Sequence, residues 1–169
     1  MNASDIALAA NIGEIIAAVL VVVSLGYVAL QIRQNTHALQ ATAAQAYVGN
    51  YNTITTQLTD PDLAVLWRNG MQDFDKMEAG EQIQFSAIIG QLMRVFESAF
   101  LQWKVGALEN QLWEASERAL KDSFMTTGFR QWWQFRRLWY SDDFRELCDG
   151  FGIDDGDHLP YPGLTAAQE

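Results

Sequence analysis

The sequence contains one long stretch that is both uncharged and apolar, residues 15–32, which reads IIAAVLVVVSLGYVALQI. As a helix rising about 1.5 Å per residue it would be about 27 Å long, close to the roughly 30 Å of a bilayer hydrocarbon core. No second stretch of comparable length is equally apolar and free of charge. The sequence therefore predicts one N-terminal transmembrane helix.

The rest of the chain is acidic and rich in aromatic residues. The 169 residues carry a net charge of −10, and six of them are Trp. About 130 residues outside the span are enough for one compact core. The negative charge disfavours nucleic acid as a partner, since nucleic acid selects Lys and Arg clusters. Cys148 is the single cysteine, so an intramolecular disulfide is excluded.

We expect three segments. Residues 1–34 form the transmembrane helix and its N-terminal flank, residues 35–152 a helical bundle domain, and residues 153–169 an acidic, loosely ordered tail. Asp5 and Glu14 replace the basic start of a secretory signal, which favours an uncleaved anchor. No Lys or Arg precedes the span and Arg33 follows it directly. That asymmetry predicts an outside N-terminus and a cytoplasmic domain.

One side of the predicted membrane helix carries small residues. At about 100° per residue, they fall within one arc of roughly 100°. Lipid tails give a plain anchor no reason to segregate residues in this way, and small residues let two helices approach closely. The pattern predicts a packing face for self-association or for other membrane-protein helices, formed by Ala10, Gly13, Ala17 and Ser24.

Glu14 falls within the same arc of roughly 100° as these small residues, near the outer edge of the hydrocarbon layer, and Asn11 lies nearby in the sequence. A carboxylate there is costly unless it meets water or a partner. Three interpretations stay open for Glu14: a solvated residue of the headgroup zone, an interhelical hydrogen bond, or part of a cation-attracting ring at the mouth of an oligomeric pore.

Beyond the span, apolar residues recur at helical spacing. We predict that the membrane helix continues to about Leu58 and that Asp60 and Pro61 start a short helix ending near Gly70. A third helix starts from a cap at Asp75 and ends at Gly106. Two more cover about residues 108–125, closed by Gly128, and about residues 129–148. The aromatic core of this bundle is predicted to contain Trp103, Trp113, Trp132, Trp133 and Trp139.

Charged residues also occur on these predicted helices. Arg94 and Glu97, three residues apart, form either an ordinary intrahelical pair or a buried charge that sets the register of the bundle. Four arginines alternate with the aromatics of the last helix, and they either pair with carboxylates of neighbouring helices or face the membrane surface. These arginines are Arg130, Arg136, Arg137 and Arg145.

Motifs that carry chemistry are missing from the sequence. There is no Gly-rich phosphate loop, and His37 and His158 are the only imidazoles, too few for a triad or a zinc site. Asp154, Asp155 and Asp157 lack the alternation and the terminal Glu of a calcium loop. We therefore expect no catalytic residues, no metal site and no cofactor, and a protein that is not an enzyme.

The phrases LGYVALQIRQNTHAL, GALENQLWEASERAL and GFRQWWQFRRLWYSDDFREL occur in this order along the chain. Over about residues 12–150 the chain resembles a group of bacterial membrane proteins with one N-terminal span and a helical domain. The resemblance implies a bacterial inner-membrane protein with a cytoplasmic helical domain, and it implies no activity, cofactor or catalytic residue.

Together these features favour an all-α, membrane-anchored interaction or scaffold protein that is homo-oligomeric through its transmembrane helix. Two other functions stay open. One is a small homo-oligomeric ion channel with Asn11 and Glu14 at its mouth. The other is an accessory subunit of a larger membrane complex, with the small-residue face packed on the helices of a different protein.

Overall fold

The structure is a computed structural model that describes the backbone of residues 3–152 and the side chains of residues 13–152, apart from those of Ile15, Ala17 and Ala18. The described chain is helical and contains no strand, so the all-α prediction is confirmed for these residues. Two 3-10 turns, Phe74–Lys76 and Arg137–Trp139, connect some of the helices. The helices are α1 (Ala3–Gln57), α2 (Pro61–Gln72), α3 (Ala79–Lys104), α4 (Asn110–Phe124), α5 (Thr127–Arg136) and α6 (Asp142–Asp149).

The chain divides into two units between Ala41 and Thr42, within α1. The predicted boundaries after residues 34 and 152 stay predictions, and the predicted tail, 153–169, lies outside the described residues. Among the residues that are described, no helix combines the length and the apolarity needed to cross a membrane. The predicted span includes Ile15, Ala17 and Ala18, whose side chains are not among those described.

The start of α2 agrees with the sequence prediction, whereas the start of α3 does not. The Asp60 carboxylate accepts hydrogen bonds from the backbone N–H groups of Asp62 (2.9 Å) and Leu63 (3.2 Å), and Pro61 occupies the first turn. The predicted cap at Asp75 is wrong. Asp75 lies in the first 3-10 turn, and α3 begins after Glu78, which forms a reciprocal capping box with Glu81.

The second unit is a helical bundle around one aromatic core. The last turns of α1 belong to it, since Ile54 is buried and Tyr51 meets the ring of Phe96 on α3 at 6.3 Å between centroids. Burial of these large apolar surfaces is the main favourable contribution to the stability of the bundle. The largest fully buried side chains are Met71, Phe85, Ile89, Met93, Phe96, Trp113, Leu120, Phe129, Trp132, Trp133, Phe144 and Cys148.

Two glycines let α2 and α5 cross with their backbones in contact. A Cβ atom at Gly128 would overlap the carbonyl oxygen of Gly70 and would lie 2.9 Å from the backbone nitrogen of Phe74. Gly70 is itself covered by the ring of Phe85. The prediction that Gly128 closes the preceding helix is therefore wrong: Gly128 lies in the first turn of α5, where the crossing leaves no room for a side chain.

The predicted final helix, about 129–148, is broken in the structure. Helix α5 ends at Arg136, a 3-10 turn follows, and Tyr140 and Ser141 have extended backbone conformations before α6 begins. Side chains of α3 form hydrogen bonds with two backbone groups of this connection. These hydrogen bonds replace the ones that a continuous helix would make.

The break also corrects one residue of the predicted aromatic core. Trp139 is 59% exposed. Its place in the core was predicted from helical spacing that continued through residue 139, and the 3-10 turn changes the direction of its side chain.

The crossing of α2 and α5 generates a stability prediction. Gly128→Ala should lower the free energy of unfolding by about 3 kcal/mol, because the added methyl group forces two backbones apart. Denaturant unfolding of the full-length protein in mild detergent, followed by tryptophan fluorescence, measures this change. Gly80→Ala is the matched control: Gly80 lies in the first turn of α3 with open space around it, so this variant should change the free energy of unfolding by no more than about 0.5 kcal/mol. Equal effects of the two variants would contradict the close crossing.

Candidate functional site

The predicted packing face and polar edge lie on α1. Gly13 and Glu14 are exposed, and a side chain at Gly13 would meet open space. The Ser24 hydroxyl is also exposed and donates a hydrogen bond to the Leu20 carbonyl at 2.8 Å. The side chains of Ala10, Asn11 and Ala17 lie outside the described residues. The packing face and the role of Glu14 therefore stay predictions.

Large apolar side chains are exposed along the rest of this part of α1. From residue 19 to residue 32 their exposed fractions lie between 48% and 68%. Residues 19–23 are consecutive and the others follow at steps of one or two residues, so together they point in every direction around the helix axis. These residues are Val19, Leu20, Val21, Val22, Val23, Leu25, Tyr27, Val28, Leu30 and Ile32.

Four of the five predicted core tryptophans lie in or against the core of the bundle. Trp113, Trp132 and Trp133 are at most 2% exposed. Trp103 is partly buried and stacks on Trp113 with 5.5 Å between ring centroids. The indole N–H of Trp133 donates a hydrogen bond to Asp149 at 2.9 Å, whereas the buried N–H of Trp132 has no hydrogen-bond partner among the described residues.

A buried carboxylate links α3 to the connection between α5 and α6. Glu97 is 8% exposed, and its Oε2 accepts a hydrogen bond from Nη1 of Arg94 at 2.7 Å. Its Oε1 accepts a hydrogen bond from the backbone N–H of Ser141, also at 2.7 Å. The residues therefore form the intrahelical pair, and the carboxylate is buried and accepts a hydrogen bond at the start of α6; that it sets the register of the bundle stays a prediction.

Arg94 contacts the same connection through its Nη2 atom and through the flat face of its guanidinium group. Nη2 donates a hydrogen bond to the backbone carbonyl of Trp139 at 3.0 Å. The guanidinium also lies over the ring of Tyr140, 4.6 Å from its centroid. Arg94 thus binds the backbone carbonyl of Trp139, and Glu97 binds the backbone N–H of Ser141, two residues further along the chain.

Two acidic groups close to this cluster are kept protonated by burial. Burial raises the pKa of the Tyr140 hydroxyl to about 12, against the opposing effect of Arg94. Burial also raises the pKa of the Cys148 thiol, with smaller contributions from the charges of Asp149 and Glu97. A buried thiol with a raised pKa is a poor nucleophile, because the thiolate is the reactive form.

The open surface next to this cluster is a shallow groove. It is lined by Arg94, Glu97, Ser98, Leu101, Gln102 and Val105. Its two charged groups, Arg94 and Glu97, are paired with each other. Within residues 3–152, as far as side chains are described, no group of three or more His, Cys, Asp or Glu residues is arranged to hold a metal ion.

Comparison of the chain with protein-family models, with curated proteins and with solved structures finds no match. The resemblance to a group of bacterial membrane proteins therefore stays an expectation from the sequence.

Sequence reasoning missed the residues that complete the Glu97 cluster. Ser141 supplies a backbone N–H, and Trp139 supplies a backbone carbonyl, so neither side chain carries the signal. One local signal was present: Ser141 is followed directly by Asp142 and Asp143, a pattern typical of a helix start.

The buried cluster generates a second prediction. Glu97→Ala should lower the free energy of unfolding by about 1–3 kcal/mol, because it leaves the Ser141 N–H without its acceptor, whereas the half-exposed Arg94 guanidinium can be solvated. Glu97→Gln should cost less, since its amide oxygen can still accept from Ser141. The control is Glu117→Ala, which removes the ordinary i,i+4 pair with Lys121 and should change stability by no more than about 0.5 kcal/mol. Urea unfolding curves of the full-length protein distinguish these cases.

A third prediction concerns alkaline pH. The pKa of Cys148 is raised in the folded protein above its ordinary value of 9.0, so above this pH the unfolded chain releases a proton that the folded chain retains. The free energy of unfolding should be unaffected by this group below the ordinary pKa. Above it, stability should fall by up to about 1.4 kcal/mol per pH unit. Urea unfolding from about pH 8 to about pH 10 measures the slope. Cys148→Ala should flatten that slope, and an unchanged slope would exclude the thiol as its source.

Proposed function

We propose that the protein is a membrane-anchored helical interaction protein that self-associates through α1. In this proposal α1 is held in the bacterial inner membrane, with the N-terminus outside and the helical bundle in the cytoplasm. The bundle then acts as a scaffold, and the functional form of the protein is the oligomer. The orientation rests on Arg33, the basic residue that directly follows the apolar stretch.

The observation that carries this proposal is the exposed apolar surface of α1 over residues 19–32. A helix that is apolar on all sides belongs in a protein core or in a membrane. Exposed apolar patches of this extent are rare on monomeric proteins in water, because each buried CH₂ group is worth about 0.8 kcal/mol. A lipid bilayer would surround the helix and bury this apolar surface on all sides.

The polar side chains of this stretch support the same environment. Ser24 satisfies its hydroxyl on the Leu20 carbonyl, and the Gln31 amide donates to the Tyr27 hydroxyl at 2.9 Å. Hydrogen bonds made within one helix are the means by which polar groups are accommodated in lipid. Tyr27, Gln31 and Arg33 also lie toward the C-terminal end of the apolar stretch, where amphipathic and basic groups suit the membrane interface.

Self-association is supported by the small residues of the predicted packing face. Gly13 has open space around it in the single chain, and small residues permit the close backbone approach that drives helix association in lipid. An accessory subunit would use the same face for a different protein, so the mass of the assembly separates the two functions.

One experiment tests both parts of the proposal. Full-length protein is reconstituted into phospholipid vesicles, washed at alkaline pH and floated, and the floated fraction is analysed by native mass spectrometry in mild detergent. We expect the protein to float with the vesicles and to give a homo-oligomeric mass. Gly13→Leu combined with Ala17→Leu should shift that mass to the monomer.

Val22→Leu combined with Val23→Leu is the matched control. It adds the same residue type on the opposite side of α1 and should leave the oligomer intact. Protein left in the wash would contradict the membrane anchor. A floated monomer, or equal loss of the oligomer in both double variants, would contradict self-association through this face.

A further inference from the structure

The second unit exposes three large apolar side chains where α5 ends. Phe135, Leu138 and Trp139 are 65%, 75% and 59% exposed, respectively. They lie within five consecutive residues at the junction of α5 and the second 3-10 turn. We call these three residues the α5 patch. Exposed apolar residues that cluster in this way mark a contact site more often than single exposed ones do.

The α5 patch is held in a fixed position by its neighbours. The ring of Phe135 meets the ring of Phe74 at 6.1 Å between centroids. The backbone carbonyl of Trp139 is bound by Arg94, and the Arg136 guanidinium lies over the Trp139 ring at 4.4 Å from its centroid. The side chains are therefore presented to a partner without a further cost of ordering the backbone.

The charge around the α5 patch is unlike that of the rest of the chain. Residues 123–141 contain three arginines and no Asp or Glu, although the whole chain carries a net charge of −10. Arg130 donates to the Phe124 carbonyl and Arg137 pairs with Asp149. Arg136 has no carboxylate partner among the described residues, and its contact with Trp139 leaves its N–H groups available to an anion.

The two acidic residues that directly follow the α5 patch each have a basic partner. Asp142 pairs with Arg145, and Asp143 pairs with Lys104. The surface next to Arg136 is therefore less repulsive to an anion than the composition of the chain suggests.

We propose that the α5 patch inserts into the headgroup region of an anionic phospholipid bilayer, with Arg136 binding a lipid phosphate. This rests on the proposed function, in which α1 anchors the chain in the same membrane. Trp and Phe beside Arg are the residues typical of membrane interfaces, where an aromatic ring lies among the lipids and the guanidinium meets phosphate.

Two physical reasons favour lipid over a second copy of the chain. A stable protein interface buries about 800 Å² on each partner with some 20 residues a side, far more than three apolar side chains provide. A patch of this size can still bind a membrane when the chain is tethered to that membrane, because tethering makes the second contact intramolecular.

The test uses the distribution of the tryptophans. All six lie between residues 67 and 139, and five of them are buried or partly buried, whereas Trp139 is exposed. Full-length protein is reconstituted into vesicles that contain anionic lipid and lipids brominated on the acyl chains, which quench an indole on contact. We expect part of the tryptophan emission to be quenched and the quenching to be lost in Trp139→Phe.

Two control variants make the result specific to the α5 patch. Ile83 is 72% exposed on α3, so Ile83→Trp in the Trp139→Phe background reports quenching at an unrelated exposed site. We expect no quenching there. Arg136→Gln should weaken the dependence of Trp139 quenching on anionic lipid at least twofold, whereas Arg118→Gln, an exposed arginine of α4, should leave it unchanged.

The outcomes separate this proposal from the membrane anchor. Protein that floats with the vesicles, but whose Trp139 is quenched only by aqueous iodide, would overturn the lipid contact and leave the anchor intact. Protein that floats with Trp139 shielded from both quenchers would also overturn it, since another protein surface then covers the α5 patch. Equal quenching at Ile83→Trp would overturn its specificity. Protein that does not float would overturn both proposals.

Discussion

A buried carboxylate on α3 determines the shape of the C-terminal third of the bundle. Glu97 accepts the backbone N–H of Ser141, and its neighbour Arg94 takes the carbonyl of Trp139. A continuous helix through this region would need those two backbone groups for its own hydrogen bonds. Charged partners form stronger hydrogen bonds than neutral backbone groups do, so these two contacts stabilise the break between Arg136 and Asp142.

The break between α5 and α6 affects both the core and the outer surface of the bundle. On the inner side, α6 is free to place Phe144 and Cys148 in the core, where both are at most 2% exposed. On the outer side, the 3-10 turn directs Leu138 and Trp139 into solvent beside Arg136. The same contact that completes the core therefore creates the α5 patch, which a continuous helix would not present in this form.

The second unit buries most of its apolar side chains, whereas the first unit exposes those that the structure describes. The bundle buries most of its apolar side chains in one core, and the backbones of α2 and α5 touch where Gly128 meets Gly70. Along α1, the apolar side chains between residues 19 and 32 have no such core, and they are exposed on every side. Among the described side chains, no group of three or more His, Cys, Asp or Glu residues is arranged to hold a metal ion.

Local patterns were enough for the helical class and for several helix ends. Apolar spacing predicted the helices, Asp60 and Pro61 predicted the start of α2, and Gly106, with a φ of +75°, ends α3 as expected. These features depend on a few neighbouring residues, so they can be read along the chain. The break after Arg136, the exposure of Trp139 and the need for Gly128 depend instead on residues far away in sequence, namely Glu97, Arg94 and Gly70. Only the packed helices bring those groups together: apart from the helix-start pattern at Ser141, a hydrogen bond to a backbone amide or a contact between two backbones leaves no pattern in the neighbouring residues.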